Sequence, residues 1–446
     1  MPSGIANISK QLVLGTVHKY DWVQLGAAIQ HPEQGKIMDL NQSVREITGV
    51  ADADVKVYPC DGYGNADIIR ALLMRERPDA ILHFTDPRYW IWLYDIEHEI
   101  RQSVPLLFYH IWDDLPDPKY NRDYYESCDW IGCISKQTYG ITRRVWGWDA
   151  ESQWKQPEHW QISYVPHGIN PELYKPTDVP EDFRKKILGD KEYDFVLYWN
   201  NRNIRRKQAM DALLAFEHFR LGLPEEKRDK VCMLMHTTAV DENGTDLPTM
   251  IRHCMPDANV IFDEGRWTET ELNYLYNIAD VTINLASNEG FGLATAESVM
   301  AGTPIIVNVT GGLQDQCGFK FRGSDKYLTA EDYVEIGSLH NKKEYESAVH
   351  WGEWATPIWP TRSVNGSIPT PYIFDDKVDF EDVAPLIRYW YDIPKWERKA
   401  RGINGREWMM GEGGLSTQNM CQTLIDGIES TFENWKPKKK FQLYSI

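Results

Sequence analysis

Short continuous apolar runs alternate with segments of helical period through the first part of the chain. The runs are "QLVLGTV" (11–17), "VKVYP" (55–59), "AILHFT" (80–85), "PLLFYHI" (105–111), "WIGCIS" (130–135) and "ISYVPHG" (162–168). Runs of this kind suit strands covered on both faces, and helical segments such as Asn65 to Arg77 supply the cover. The pattern lapses between Gly168 and Glu192, where prolines and charges interrupt any period, and this stretch reads as a linker. Alternation then restarts with strands at 194–199, 231–237, 260–264, 281–286 and 304–309, separated by helices at 208–221, 247–253, 268–278 and 293–301. Two open parallel α/β units are expected, with a ligand between them at the carboxyl ends of their strands.

Regularity drops after Gly312. The Trp- and Pro-rich stretch to about Asp379 is expected to form an edge hairpin or lid, with Asn365-Gly366 as its turn. From Asp382 to Trp435 the pattern is that of two or three helices, followed by the basic run "KPKKK" (436–440). The division expected is 1–175 for a first Rossmann-like domain and 190–385 for a second. An irregular insertion falls at about 317–376, and a helical tail covers 386–446.

Composition narrows the partners. A chain of 446 residues exceeds one core of ordinary size, and 48 Lys and Arg against 66 Asp and Glu leave a formal charge of -18, which opposes nonspecific adhesion to nucleic acid or anionic lipid. Seven scattered cysteines without a C-x-x-C pair point to a reducing, cytoplasmic setting without structural zinc. The first residues have no basic region or small-residue cleavage site, and no later run approaches the length of a membrane span. The 18 tryptophans and 23 tyrosines read mainly as packing, including those of "DPRYWIWLYD" (86–95) and "KYNRDYYESCDW" (119–130), although both segments are aromatic enough to line an acceptor groove.

The chemistry concentrates in "SNEGFGLATAESVMAGT" (287–303). Gly290 and Gly292 let the backbone approach a ligand, and the free amides at the start of the helix from Leu293 favour anionic oxygen. Glu289 and Glu297 can then accept hydrogen bonds from sugar or ribose hydroxyls beside a phosphate. After the first strand of the second unit comes "NNRNIRRKQAM", where Arg202 and Lys207 at a helix start oppose the helix dipole and call for an anion. The carboxylates of "WDDLPD" (112–117) read as a solvated Pro-rich loop rather than a metal site.

With these motifs the sequence resembles the retaining glycosyltransferases of family 4, of GT-B fold. "EGFGLATAESVMAGTPIIVNVTGG" looks like that family's signature, Arg202 and Lys207 match its phosphate-binding pair, "VPHGIN" (165–170) resembles its interdomain segment, and "ADVTINLA" resembles the strand before the signature. The resemblance implies that Glu289 binds the donor sugar and Glu297 the ribose. It also implies that Gly290, Phe291, Gly292 and Leu293 contact sugar and phosphate, that Arg202 and Lys207 hold the diphosphate, and that His110 stands beside the sugar. His83 is a further candidate, with a structural role favoured. Gly15, in "LGTVHKY", is the nearest equivalent of the family's N-terminal glycine loop. "NNR" stands where the family has "GRL", and the 317–376 segment departs from its usual ending. The implied reaction moves a sugar from a nucleotide-diphosphate donor, a UDP- or GDP-sugar, to an acceptor hydroxyl with retention, without metal or cofactor, and the C-terminal helices cross back to the first domain. The acceptor stays open among saccharide, protein and nucleic acid, including a modified DNA base. A nucleotide-sugar epimerase of the same fold is the alternative.

Overall fold

The computed structural model describes residues 4–27, 34–147, 157–336 and 342–438. Its first half holds two small sheets rather than the single one expected. Trp22–Gly26, Val55–Pro59 and Met38–Asp39 form a three-stranded sheet with Val55–Pro59 in the centre. Ile81–Phe84, Leu106–His110, Trp130–Cys133 and Ile162–Tyr164 form an all-parallel sheet of four strands in chain order. Leu106–His110 and Trp130–Cys133 are buried throughout, as unbroken apolar runs demand. The helix expected from Asn65 forms over Ala66–Glu76, with the Asn65 carboxamide accepting from the amides of Asp67 and Ile68.

One strand reading fails outright. The run at 11–17 belongs to the helix Gly4–Thr16, whose buried positions Ile8, Leu12, Val13 and Thr16 recur at helical spacing. A short continuous apolar run has no period of its own, so only the neighbouring Ile8 separates the two readings. Gly15 accordingly lies near the end of this helix, where a Cβ would collide with Cys421, and not in a strand-end loop. The real first strand, Trp22–Gly26, is half-buried along its length and carries little pattern.

The second half follows its sequence pattern closely. Six parallel strands are ordered Val260–Asp263, Val231–His236, Phe195–Asn200, Val281–Asn284, Ile305–Asn308 and Ala355–Ile358. Ala209–Leu221, Leu247–Cys254, Glu269–Ile278 and Leu293–Met300 are the intervening helices. Thr268 caps Glu269–Ile278 through a reciprocal box with Glu271. Ala355–Ile358, unforeseen, takes the sheet edge, the position open to a strand containing Pro357. The linker carries an amphipathic helix, Glu181–Leu188.

The hairpin forms as Thr361–Ser367 paired with Thr370–Lys377, but its turn is Ile368-Pro369. Asn365-Gly366 sits inside the first arm at a register shift, because pairing of Ser367 with Thr370 closes the loop further on. Three helices follow: Phe380–Asp392, Lys395–Met410 and Thr417–Asn434. The last crosses to the first half, where Gly427 lies flat on the Trp130 indole and Cys421 meets Gly15. The largest apolar core therefore runs through both halves, from Trp130 and Val165 to Phe291 and Leu313. Lys439, Lys440 and Phe441 of the basic tail lie outside the described residues. Among those described, no helix is long and apolar enough to cross a membrane.

Candidate active site

Strand Val281–Asn284 delivers the chain to the loop 287–292 at the carboxyl end of the parallel sheet. Gly292 has φ of 88° and starts the helix Leu293–Met300, a conformation that needs glycine. The following glycine pair explains itself by contact. A Cβ on Gly311, whose φ is 46°, would overlap the Glu289 carbonyl, and one on Gly312 would overlap the Gly290 carbonyl. Gly312 also donates its amide to the Glu289 carbonyl at 2.9 Å, and the Gln316 carboxamide donates to the carbonyls of Phe291 and Gly292 at 2.7 and 3.0 Å. The loop is thus clamped from behind. Gly290 faces Ile134 and the Ile111 carbonyl of the first half, and Phe291 is buried edge-on to His167. Leu293 lies against Gly4.

The Lys207 ammonium donates to the Glu289 carboxylate, both side chains being largely buried, at 10% and 13% exposure. Burial lowers the Lys207 pKa, with Glu289 opposing the shift. Burial alone would raise that of Glu289, but the charges of Lys207 and then Arg206 outweigh it and hold the carboxyl below its usual range. Arg206 reaches the Asn288 carbonyl at 2.6 Å and stands 3.8 Å from the Glu289 carboxylate. It was not singled out from the sequence, although it lies in the same basic run.

Arg202 is not part of this cluster. It is 63% exposed and bonded to Asp241 at 2.9 Å. Spacing along the chain fixes the relative direction of two side chains only within a regular element. Here the residues between are an extended Ile204 and the 3-10 turn Arg205–Lys207, and the helix starts only at Ala209 after Gln208 at φ 52°. Arg206, rather than Arg202, stands beside Glu289.

Glu297 lies one turn into its helix among Tyr174, Tyr198 and Tyr276 and accepts from the Tyr276 hydroxyl at 2.6 Å. Burial pushes its pKa up to about 7, the tyrosine bonds only partly offsetting it.

From the first half, His110 ends strand Leu106–His110. It is buried, with Nδ1 at 3.0 Å from the Thr142 hydroxyl and Nε2 at 3.2 Å from that of Tyr125, and burial lowers its pKa to about 3. It is a neutral imidazole bonded on both nitrogens. His83 is likewise buried, bonded to Tyr94 at 2.7 Å and stacked on Phe108.

The acidic loop after His110 is folded into the cleft rather than solvated. Thr138 and Gln137 donate to the carbonyls of Trp112 and Asp113 at 2.6 and 2.7 Å, and the Asn288 carboxamide bonds the Asp114 carboxylate across the cleft. Burial raises the pKa of Asp113, and burial together with Asp113 pushes Asp114 up to about 9. Their place directly after a central strand was the available signal, since such loops face the ligand in open α/β sheets. Among the described residues, no group of three or more His, Cys, Asp or Glu side chains is arranged to hold a metal ion.

The hairpin closes one side of this space. Arg88 bonds the Thr370 hydroxyl, Tyr120 donates to the Tyr372 carbonyl at 2.9 Å, and Asn288 donates to that of Phe374 at 2.9 Å.

Residues 181–330 match the family described as glycosyl transferases group 1. A D-inositol 3-phosphate glycosyltransferase of Thermobispora bispora is 26% identical over 157 residues, covering 34% of this chain and 36% of that enzyme, so the match spans about a third of the relative's length. Among solved structures, Anabaena HepE in complex with UDP and glucose superposes with a TM-score of 0.60 at 12% identity over 96% of this chain and 97% of that one. Sucrose-phosphate synthase of Thermosynechococcus elongatus gives 0.61 at 14% identity over 97% and 94%. The chain therefore has the GT-B fold of these glycosyltransferases and carries, in residues 181–330, a group 1 glycosyl transferase segment.

Proposed function

We propose that the protein is a retaining, metal-independent glycosyltransferase of family 4 type that uses a nucleotide-diphosphate sugar, with UDP as the first nucleotide to test. The observation that carries this reading is the Lys207–Glu289 pair, with Arg206 beside it, facing the glycine-rich entrance of the helix Leu293–Met300. That arrangement offers a diphosphate two cations and a helix N-terminus, and offers the attached sugar a carboxylate. The UDP-bound neighbour supports the choice of nucleotide.

On donor entry the diphosphate draws Lys207 away from Glu289, whose carboxylate then accepts from the sugar hydroxyls. Glu297 accepts from the ribose. The acceptor oxygen bonds to the anomeric carbon as the bond from that carbon to the diphosphate breaks, its electron pair leaving on the phosphate oxygen. The acceptor proton passes to that same oxygen on the same face, which preserves the anomeric configuration. Arg206 and Lys207 stabilise the departing charge.

Thermal unfolding with UDP, GDP and their sugars tests the donor, a UDP-induced rise being expected. Release of UDP, undiminished by EDTA, tests transfer, and the anomeric coupling constant of the product tests retention. An isomerised sugar nucleotide in place of a new glycoside would instead identify an epimerase.

A further inference from the structure

A cavity of about 400 Å³ lies between the strand ends of the first half and the hairpin 361–377, within the size range of small-molecule sites (~300–1,000 Å³). Arg88, Trp112, Asp113 and Asp114 line one wall, and Ser367 and Thr370 the other. The first wall adjoins the donor residues: Asp113 feels the charges of Arg206, Glu289 and Lys207, and Asp114 is tied to Asn288 in the glycine-rich loop. The second wall, the hairpin 361–377, lies beyond the segment that matches the family.

We propose that this cavity is the acceptor site and that it selects an uncharged, hydroxyl-rich acceptor, the sugar or polyol class, over a phosphorylated one; the assignment rests on the glycosyl-transfer reading of the adjoining donor site. Charge carries the argument. The one guanidinium in the lining, Arg88, is engaged with both oxygens of Asp86, through Nε at 2.9 and 3.0 Å, and lies 5.1 Å over the Trp112 ring. His110, also in the lining, is bonded on both ring nitrogens. A phosphate here meets the adjacent carboxyl groups of Asp113 and Asp114 with each described cation of the lining already committed, so nothing among the described lining residues offsets the cost of stripping water from the anion in a confined space, and the neutral competitor is favoured. Hydroxyl groups fit the same lining. They donate to carboxylate oxygens and accept from the Ser367 and Thr370 hydroxyls, and Trp112 adds an aromatic surface.

The test uses the full chain with whichever sugar nucleotide most raises its unfolding temperature. Paired acceptors are offered: methyl α-glucoside against glucose 6-phosphate, fructose against fructose 6-phosphate, and myo-inositol against inositol 1-phosphate. Products are read by mass spectrometry, and neutral-acceptor binding by saturation-transfer NMR in the presence of UDP. At least one neutral member should react about tenfold faster than its phosphorylated partner, and Ser367→Lys should shift that ratio about tenfold towards the phosphate ester. A preference for the phosphorylated members would overturn the proposal, as would the absence of both product and saturation transfer with every neutral probe, or product formed only on DNA or protein. The shift induced by UDP, GDP or their sugars separates the two readings: if one is present while these results go against the neutral acceptor, only the acceptor assignment falls; if none is seen, the donor reading falls as well.

Discussion

Two loops meet in the cleft, 287–292 from the second half and 111–116 from the first, and they bury charge in opposite ways. In the former the Glu289 carboxylate is matched by Lys207 and Arg206, and the backbone is gripped by Gly311, Gly312 and Gln316. In the latter the adjacent carboxyls of Asp113 and Asp114 lean on each other and on a carboxamide, so burial drives them towards the protonated form. The comparison teaches that positive charge is concentrated where a leaving diphosphate would sit, while the facing loop is equipped for hydroxyls.

The largest test of that contrast is Lys207→Ala. Loss of the buried cation is expected to cost turnover on the order of 10²–10³-fold, measured as UDP release from the donor sugar. It also removes one of two cations beside Glu289, so the fold should be checked by circular dichroism. Gly311→Ala attacks the clamp rather than the charge. A methyl group at φ 46° against the Glu289 carbonyl should lower stability by about 3 kcal/mol in chemical denaturation.

Glu297 supplies a pH signature. Its folded pKa of about 7 stands above the ordinary glutamate value of 4.5, so the folded state holds the proton more tightly. The contribution from Glu297 is therefore fully present below the unfolded pKa and is lost as pH rises through the folded one, amounting to about 3 kcal/mol. Glu297→Gln should flatten that part of the stability profile relative to the parent protein between pH 4.5 and 7. The smallest effect is expected for Arg202→Ala, within about threefold in UDP release and with little change in the denaturation midpoint, because an exposed pair with Asp241 contributes little. Arg206→Ala should lose at least tenfold in the same assay. The reverse ranking would return the diphosphate role to Arg202.

Legibility followed the strength of local pattern. The six-stranded half could be read almost strand by strand because strands such as Phe195–Asn200 and Val231–His236 are buried runs and the helices Leu247–Cys254 and Glu269–Ile278 carry side-chain caps. The first half misled at 11–17, where an apolar run without period proved helical, and at Trp22–Gly26, where a half-buried strand showed no run at all. At the candidate site, Glu289, Gly290, Gly292 and Glu297 could be located from the loop and helix start that hold them. That Arg206 lies beside Glu289 was not legible, because spacing along a chain predicts direction only inside a regular element, and this segment is an extended residue followed by a tight turn.

By itself, the sequence determined the alternation of strands and helices and the glycine-rich entrance to Leu293–Met300, since both depend on residues that are near neighbours in the chain. Tertiary structure alone decided which arginine faces Glu289 and that Asp113 and Asp114 enter the cleft. It also decided that Gly15 packs under the last helix and that the hairpin closes the cavity. Each of these depends on groups far apart in the chain being brought within a few ångströms, where burial and the fields of neighbouring charges set what a side chain can do.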